Sequence, residues 1–504
     1  MGGASRGGAV LSTLGVGMDD ESLKRDLARL IRQLLERPAT DRDRLGPLIR
    51  AHLGSPEGDP QVLGEELEPW ELPNLQLALD AAVARPGWSG RTLGIAGEGK
   101  RYSMLGLGDL LGDGHWEPGP PEYVNAAVGP GRTIPCLDFG LLLVSKPEAP
   151  FYLFVRRGSA HGPMPGLSLQ AVARDEGRAR AALADLRALM DVHDVFRGQL
   201  ITIEVSQGGE RRVVFQERPD MGPAELVLPD GLLEQVERHV LGPTRHRETL
   251  LASGRHLGRG LLLWGPPGTG KTHTVRYLTG RLRDATVIVL SGASLGMVGA
   301  VGPMARRLAP SVVVLEDVDL VAEERVFGAY GSNPALFELM NEMSGLGADA
   351  DIAFVLTTNR PDALEPALAA RPGRVDLALE IPLPDAAARR RLLELYGRGM
   401  DLVGVDLDAV VARTKGVTAS FVKELLRKAL LAAAEDGRAS VGDADVQGAL
   451  DALLSDTAAL TRALLVGRPG AAAPAPSPHA WLGGVVATYE EGIAPRVDRF
   501  GTSE

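Results

Sequence analysis

At 504 residues the chain has room for about three domains, and 44% hydrophobic content suffices for their cores, although 4% aromatics leave most packing to Leu, Val and Ala. A formal net charge of −11 argues against a general binder of nucleic acid or anionic membrane, and the single cysteine, Cys136, excludes an intrachain disulfide framework and suits a reducing cytoplasm. No stretch approaches the ~18 apolar residues that cross a bilayer, so no membrane partner is expected.

In chain order, residues 1–17 read as a disordered tail ahead of Met18-Asp19-Asp20-Glu21, an alternative translation start. Residues 18–120 read as a helical region. Helical periodicity runs over Glu21–Glu36, with shorter apolar helices at Asp41–Leu53 and Leu75–Ala84, before a Gly- and Pro-rich loop from Gly90 to Pro121. Residues 121–222 read as an α+β unit. Strand-like runs 139–144 and 151–155 flank a hairpin connector, Arg178–Val192 is helical, and runs 200–205 and 212–215 flank a Gly208-Gly209 turn. The lone His193 among acids reads as a solvated helix end, and no H-E-x-x-H of a zinc protease occurs in the sequence.

From 223 to 382, short strands that are apolar on both faces (261–264, 286–290, 312–315, 352–357 and 378–381) alternate with helices. This is the pattern of an α/β unit whose parallel sheet is covered on both sides. Residues 383–456 are helical, over Asp385–Tyr396, Asp406–Thr414, Ser420–Glu435 and Gly442–Leu453. Residues 457–504 form a tail with a Pro/Ala linker.

The chemistry begins between the first strand and the helix after it. Gly265-Pro266-Pro267-Gly268-Thr269-Gly270-Lys271-Thr272 fits G-x-x-x-x-G-K followed by Ser or Thr, a phosphate-binding loop. Its glycines let several backbone N–H groups converge on a phosphate, and the helix entered through His273 adds its positive end. Lys271 then reaches the β- and γ-phosphates, and the Thr272 hydroxyl serves Mg²⁺. An ATP site also needs an acidic element at the C-terminal end of a buried strand, and Val312–Leu315 followed by Glu316 and Asp317 supplies one. Between them Glu316 and Asp317 are candidates to hold Mg²⁺ and orient water. Asn359, at the end of the next strand, is placed for the γ-phosphate or the attacking water. Arg371 and Arg374 sit in a Pro/Gly turn suited to transition-state charge.

The order of these motifs resembles the AAA ATPases in the strict sense, over about residues 225–454. It comprises the phosphate loop, Val312–Asp319, Leu339–Leu346, Thr357–Leu368, Arg371–Asp376, and the lid segments Gly416–Ala429 and Ser440–Leu450. The resemblance implies a P-loop NTPase sheet with an all-α lid, ATP and Mg²⁺ as ligands, and a homo-oligomeric ring, usually a hexamer. It makes Asn359 the first sensor and Arg371 and Arg374 fingers acting on the neighbour's nucleotide. It also places a pore loop at Met297-Val298-Gly299, with methionine where the family carries an aromatic. The resemblance makes Glu316 the metal-side acid and Asp317 the water-activating acid, in the order Glu-Asp rather than the family's usual Asp-Glu, and one extra residue precedes Arg371.

The expected function is ATP-driven remodelling or unfolding of protein clients in the cytoplasm, with the region before the ATPase core recruiting a client or adaptor. The alternatives are an ATP-dependent nucleic-acid loader or translocase, disfavoured by the acidic balance, and a slowly hydrolysing ATP-switched scaffold.

Overall fold

The structure is a computed structural model that describes residues 45–54, 60–96, 116–146, 150–158, 166–206, 211–319, 350–362 and 375–455. The expected helix at Glu21–Glu36, the segment Leu339–Leu346, Arg371, Arg374 and both tails lie outside these residues.

The first unit is built on an antiparallel sheet of β1 (Gln61–Leu67), β2 (Ser89–Ala96), β3 (Glu117–Gly119), β4 (Glu122–Gly129), β5 (Arg132–Ser145), β6 (Phe151–Gly158) and β7 (Gly166–Ala173). Its order is β1-β7-β6-β5-β2-β3, with β4 also paired to β5. Successive side chains of a strand face opposite ways, and here both faces are covered. Leu142 and Val144 meet α2 (Leu72–Val83) and α3 (Glu176–Val192) on one face; Leu141 and Leu143 meet α1 (Leu45–Leu53) on the other. That is why residues 139–144 read as an unbroken apolar run rather than an alternating one.

The span 18–120 is therefore not simply helical. α1 and α2 form where expected, but β1 to β3 fall within the same stretch. β2 was hidden by its glycines, which signal a loop. Gly94 is there because a Cβ would lie 1.9 Å from the carbonyl oxygen of Pro120, so the close backbone approach requires glycine inside a strand.

The second unit contains β8 (Leu200–Val205), β9 (Arg211–Gln216), β10 (Arg259–Trp264), β11 (Thr286–Ser291), β12 (Ser311–Glu316), β13 (Ile352–Thr358) and β14 (Leu377–Glu380). The sheet order is β14-β10-β13-β12-β11-β8-β9, parallel except for β9. β10 to β14 are the five strands predicted from 261 onward, and short apolar sequences suit their two covered faces. α4 (Leu232–Arg245) and α6 (Lys271–Arg281) pack on one face through Val236, Val240, Val275 and Leu278. α7 (Val298–Arg307) packs on the other through Val298, Val301 and Met304. The short α5 (Arg247–Ala252) follows α4.

The hairpin β8–β9, which the sequence reading placed in the first unit, is hydrogen-bonded into this sheet. Leu200, Ile201 and Thr202 pair in parallel with Val287, Ile288 and Val289. A hairpin's sequence specifies that its strands pair with each other, not which larger sheet they extend.

A lid follows, made of α8 (Ala386–Tyr396), α9 (Leu407–Arg413), α10 (Ala419–Glu435) and α11 (Asp443–Leu454). It is helical apart from a three-residue parallel pair, β15 (Asp401–Val403) and β16 (Ser440–Gly442). Asp385, Asp406 and Thr418 cap the first three of these helices through their side chains, and Leu392, Val410, Phe421, Leu425 and Leu450 form the lid core.

The two sheets are joined by polar bonds around a buried tryptophan. Trp70, from the turn before α2, packs into the core beneath α7 with Phe196 and Ile203. Arg307, the last residue of α7, pairs with Glu71 at 2.7 Å and with Asp194 at 3.2 Å, and the Val195 N–H donates to Asn74 Oδ1 at 2.9 Å. His193, at the end of α3, is exposed as expected of a solvated helix end, whereas Asp194 beside it is buried, and burial pushes its carboxyl above the ordinary range despite the nearby arginine.

Candidate nucleotide site

The phosphate loop, Glu316, Asp317 and Asn359 lie at the C-terminal edge of β10, β12 and β13, where a parallel sheet presents its ligands. The loop leaves β10 at Gly265, whose φ of 147° belongs to glycine, and a Cβ there would meet the Ile381 carbonyl oxygen at 2.3 Å. The chain then folds back over itself and enters α6 at Lys271. The Thr269 hydroxyl donates to the Pro266 carbonyl at 2.9 Å, which closes the loop.

Lys271 is buried, and its Nζ donates to the carbonyls of Gly265 and Pro266 at 2.8 and 2.9 Å. Burial pushes its pKa down to about 8, against the pull of Asp317 and Asp319. The ammonium is tethered by the loop's own carbonyls, which are weaker partners than a polyphosphate would be.

β12 delivers Glu316 and Asp317. Glu316 is hydrogen-bonded to Thr272, and burial, with the adjacent Asp317, raises its pKa. Its Oε1 is buried with no hydrogen-bond partner among the described residues. Asp317 carries a φ of 52°, the left-handed region that costs a side-chain-bearing residue energy. Its carboxylate receives a hydrogen bond from Asn359 Nδ2 at 3.3 Å, and burial and Asp319 raise its pKa. The structure thus brings together Lys271, Thr272, Glu316, Asp317 and Asn359. It does not bring in Met297 and Val298.

Met297 and Val298 are a correction. The resemblance implies a pore loop at Met297-Val298-Gly299, but the chain after β11 forms a tight 3-10 turn over Gly292–Met297. Met297 and Val298 are buried in the core beneath α7, and Gly299 is only partly exposed. Position in a motif order does not tell whether an apolar side chain points out or in, and methionine at a core-facing position packs readily.

The cleft itself, about 330 Å³, runs from the phosphate loop to the lid. His273 and Lys423 line it, and the His273 imidazole is pushed to lower pKa by burial and then by Lys423 and Arg276. At the far end, Leu226, Val227, Leu395 and Tyr396 give it an apolar wall. Lid and loop are in direct contact, because the Ser420 N–H donates to the Gly268 carbonyl at 3.2 Å.

Sequence reasoning missed Ser420, Lys423 and the apolar wall. Their signal is weak, since each is an ordinary residue brought in from the lid or from the strand-less segment before α4.

The family model for the ATPase family associated with various cellular activities (AAA) matches residues 261–383, which hold the loop, both acids and Asn359. The chain carries an AAA ATPase domain. The FtsH ATP-dependent zinc metalloprotease of Thermus thermophilus is 34% identical to this chain over 235 residues, 44% of the chain and 37% of that protein. The proteasome-activating nucleotidase of Thermococcus onnurineus is 29% identical over 259 residues, 49% of the chain and 65% of the relative. The 26S proteasome regulatory subunit 8 of Caenorhabditis elegans is 32% identical over 235 residues, 44% of the chain and 56% of the relative. The chain therefore spans less than two thirds of each of these relatives, and the similarity centres on the AAA domain. No cluster of three or more His, Cys, Asp or Glu side chains able to hold a metal occurs among the described residues. Among them, no helix is long and apolar enough to cross a membrane.

Proposed function

We propose that this chain binds and hydrolyses ATP in the cleft between the AAA domain and its lid, as a subunit of a homo-oligomeric ring, and that the ring remodels or unfolds protein clients. The observation that carries the reading is the convergence of Lys271, Thr272, Glu316, Asp317 and Asn359 on one edge of the sheet, facing a lid. Lys271 binds the β- and γ-phosphates once it leaves the Gly265 and Pro266 carbonyls. The apolar wall at Leu226, Val227 and Tyr396 suits the face of a base. Asp317, steadied by Asn359, is placed to accept a proton from a water attacking the terminal phosphorus.

The unpartnered Glu316 oxygen beside the Thr272 hydroxyl fits a hard divalent cation. Thr272 and Glu316 would hold Mg²⁺, which when bound neutralises charge on the phosphate oxygens. Arg371 and Arg374 are proposed to act on ATP held by the neighbouring subunit, in a hexamer. The first unit, joined to α7 through Arg307, is proposed to take the client or an adaptor. Client grip is not assigned to Met297 and Val298, because both are buried.

Steady-state ATPase turnover, with and without an unfolded protein or single-stranded DNA, tests the reading. Turnover that rises with unfolded protein and not with DNA is expected. Stimulation by DNA alone would replace the remodelling role with a nucleic-acid one, and near-zero turnover with nucleotide-dependent assembly would leave a scaffold.

A further inference from the structure

Asp319 stands two residues beyond the acid that faces the cleft, and the mechanism above gives it nothing to do. It is buried, at 7% exposure, in a sheet edge where an ionised carboxylate is costly to place. Its Oδ1 accepts two hydrogen bonds from the end of β13: from the Thr358 hydroxyl at 2.8 Å and from the Asn359 N–H at 3.1 Å. The stitching runs the other way as well. The Asp317 N–H donates to Thr357 Oγ1 at 3.0 Å, and the Val318 N–H donates to the Thr357 carbonyl at 3.0 Å. The Thr358 hydroxyl also accepts from the Arg360 N–H at 2.9 Å, so Thr358 is used as both donor and acceptor.

The chain after β12 is irregular where it meets the last residues of β13. β12 has ended at Glu316, β13 ends at Thr358, and Asp317 sits at a φ of 52°. A left-handed aspartate persists only when its surroundings fix it. The bonds to Thr357 hold it from one side, and Asp319 anchors the return of the chain to the same partner strand. Asn359 receives its backbone position from Asp319 and directs its side-chain amide to Asp317 at 3.3 Å.

We propose that Asp319 is a positioning residue that locks Asp317 and Asn359 into one rigid unit, acting through its oxygen as a hydrogen-bond acceptor. The proposal rests on the ATPase reading of the cleft for its kinetic consequence, but not for its structural one. Displacing two reacting groups by about 1 Å costs on the order of a hundredfold in rate while leaving ground-state binding nearly intact.

The test uses the full-length chain with Asp319→Ala and Asp319→Asn, the second keeping a carbonyl oxygen where Oδ1 stood. Asp319→Ala is expected to lower kcat roughly 10–100-fold with ATP affinity within about threefold of the parent, and Asp319→Asn to recover most of that loss. In an Asn359→Ala background, Asp319→Ala should cost no more than about a further twofold, because both act through one geometry.

Amide hydrogen exchange supplies the arm that does not need turnover. In Asp319→Ala the amides of Asp317, Val318 and Asn359 should exchange at least about tenfold faster, with residues 265–272 unchanged, and Asp319→Asn should restore protection. A parent chain without ATPase activity would overturn the reading of the cleft while the exchange result still judges the lock. Unchanged exchange, an affinity loss parallel to the kcat loss, an additive double variant, or an Asp319→Asn as impaired as Asp319→Ala would each overturn the positioning role.

Discussion

Lys271 is the residue whose chemistry is most exposed to experiment. Its pKa in the free protein is pushed down to about 8 by burial, from the ordinary 10.5. A bound polyphosphate favours the ammonium form, so binding selects the protonated lysine. Below pH 8 the group is already charged and affinity is flat. Above it, each pH unit removes about tenfold from the charged population, and ATP affinity should fall by about that factor per unit, with proton uptake on binding. Calorimetry in buffers of different ionisation enthalpy between pH 7.5 and 9.5 measures both, and a flat affinity with no proton uptake would contradict the assignment. At this scale the sequence was informative wherever a side chain's task is set by its neighbours in the chain. The phosphate loop and the Glu316-Asp317 pair were readable because strand, turn and helix signals surround them. Asp194 and Met297 were not readable, because their burial depends on residues far away in sequence: Arg307 for the first, the core beneath α7 for the second.

Among the elements, α7 links the two sheets. Its N-terminal end is buried beside the 3-10 turn after β11, and its C-terminal arginine is held by Glu71 and Asp194 from the preceding unit. Arg307→Ala takes its nearest cation from the buried Asp194, and because the arginine side is partly exposed the cost falls below the about 3–5 kcal/mol of a fully buried pair. The prediction is a lower urea midpoint, with amide exchange rising first around Asn74, Val195 and the end of α7. An unchanged midpoint would mean that the Arg307 ion pairs contribute nothing to holding the two units together. The five strands of the AAA domain and the four lid helices follow their sequence patterns closely, because a two-sided parallel sheet and a capped amphipathic helix are each specified locally. The antiparallel unit was harder. Glycines that admit a close backbone, as at Gly94, look the same in sequence as glycines that open a loop.

For the whole molecule, the proposed ATP site lies between the cleft of one subunit and arginines of its neighbour. Arg371→Ala is expected to keep nucleotide affinity within about threefold and to lose turnover, since a group acting on transition-state charge adds little to ground-state binding. Mixed with Asp317→Asn subunits, it should recover part of the activity at hybrid interfaces, whereas two variants that stay inactive in every mixture would place both groups in the same subunit's chemistry. The most direct measurement is paired binding and single-turnover hydrolysis of Mg-ATP by the parent and by Asp317→Asn. The prediction is equal affinity and a hydrolysis rate at least about a hundredfold lower in the variant. Hydrolysis by Asp317→Asn at the parent rate would contradict the claim that this edge of the sheet performs the reaction.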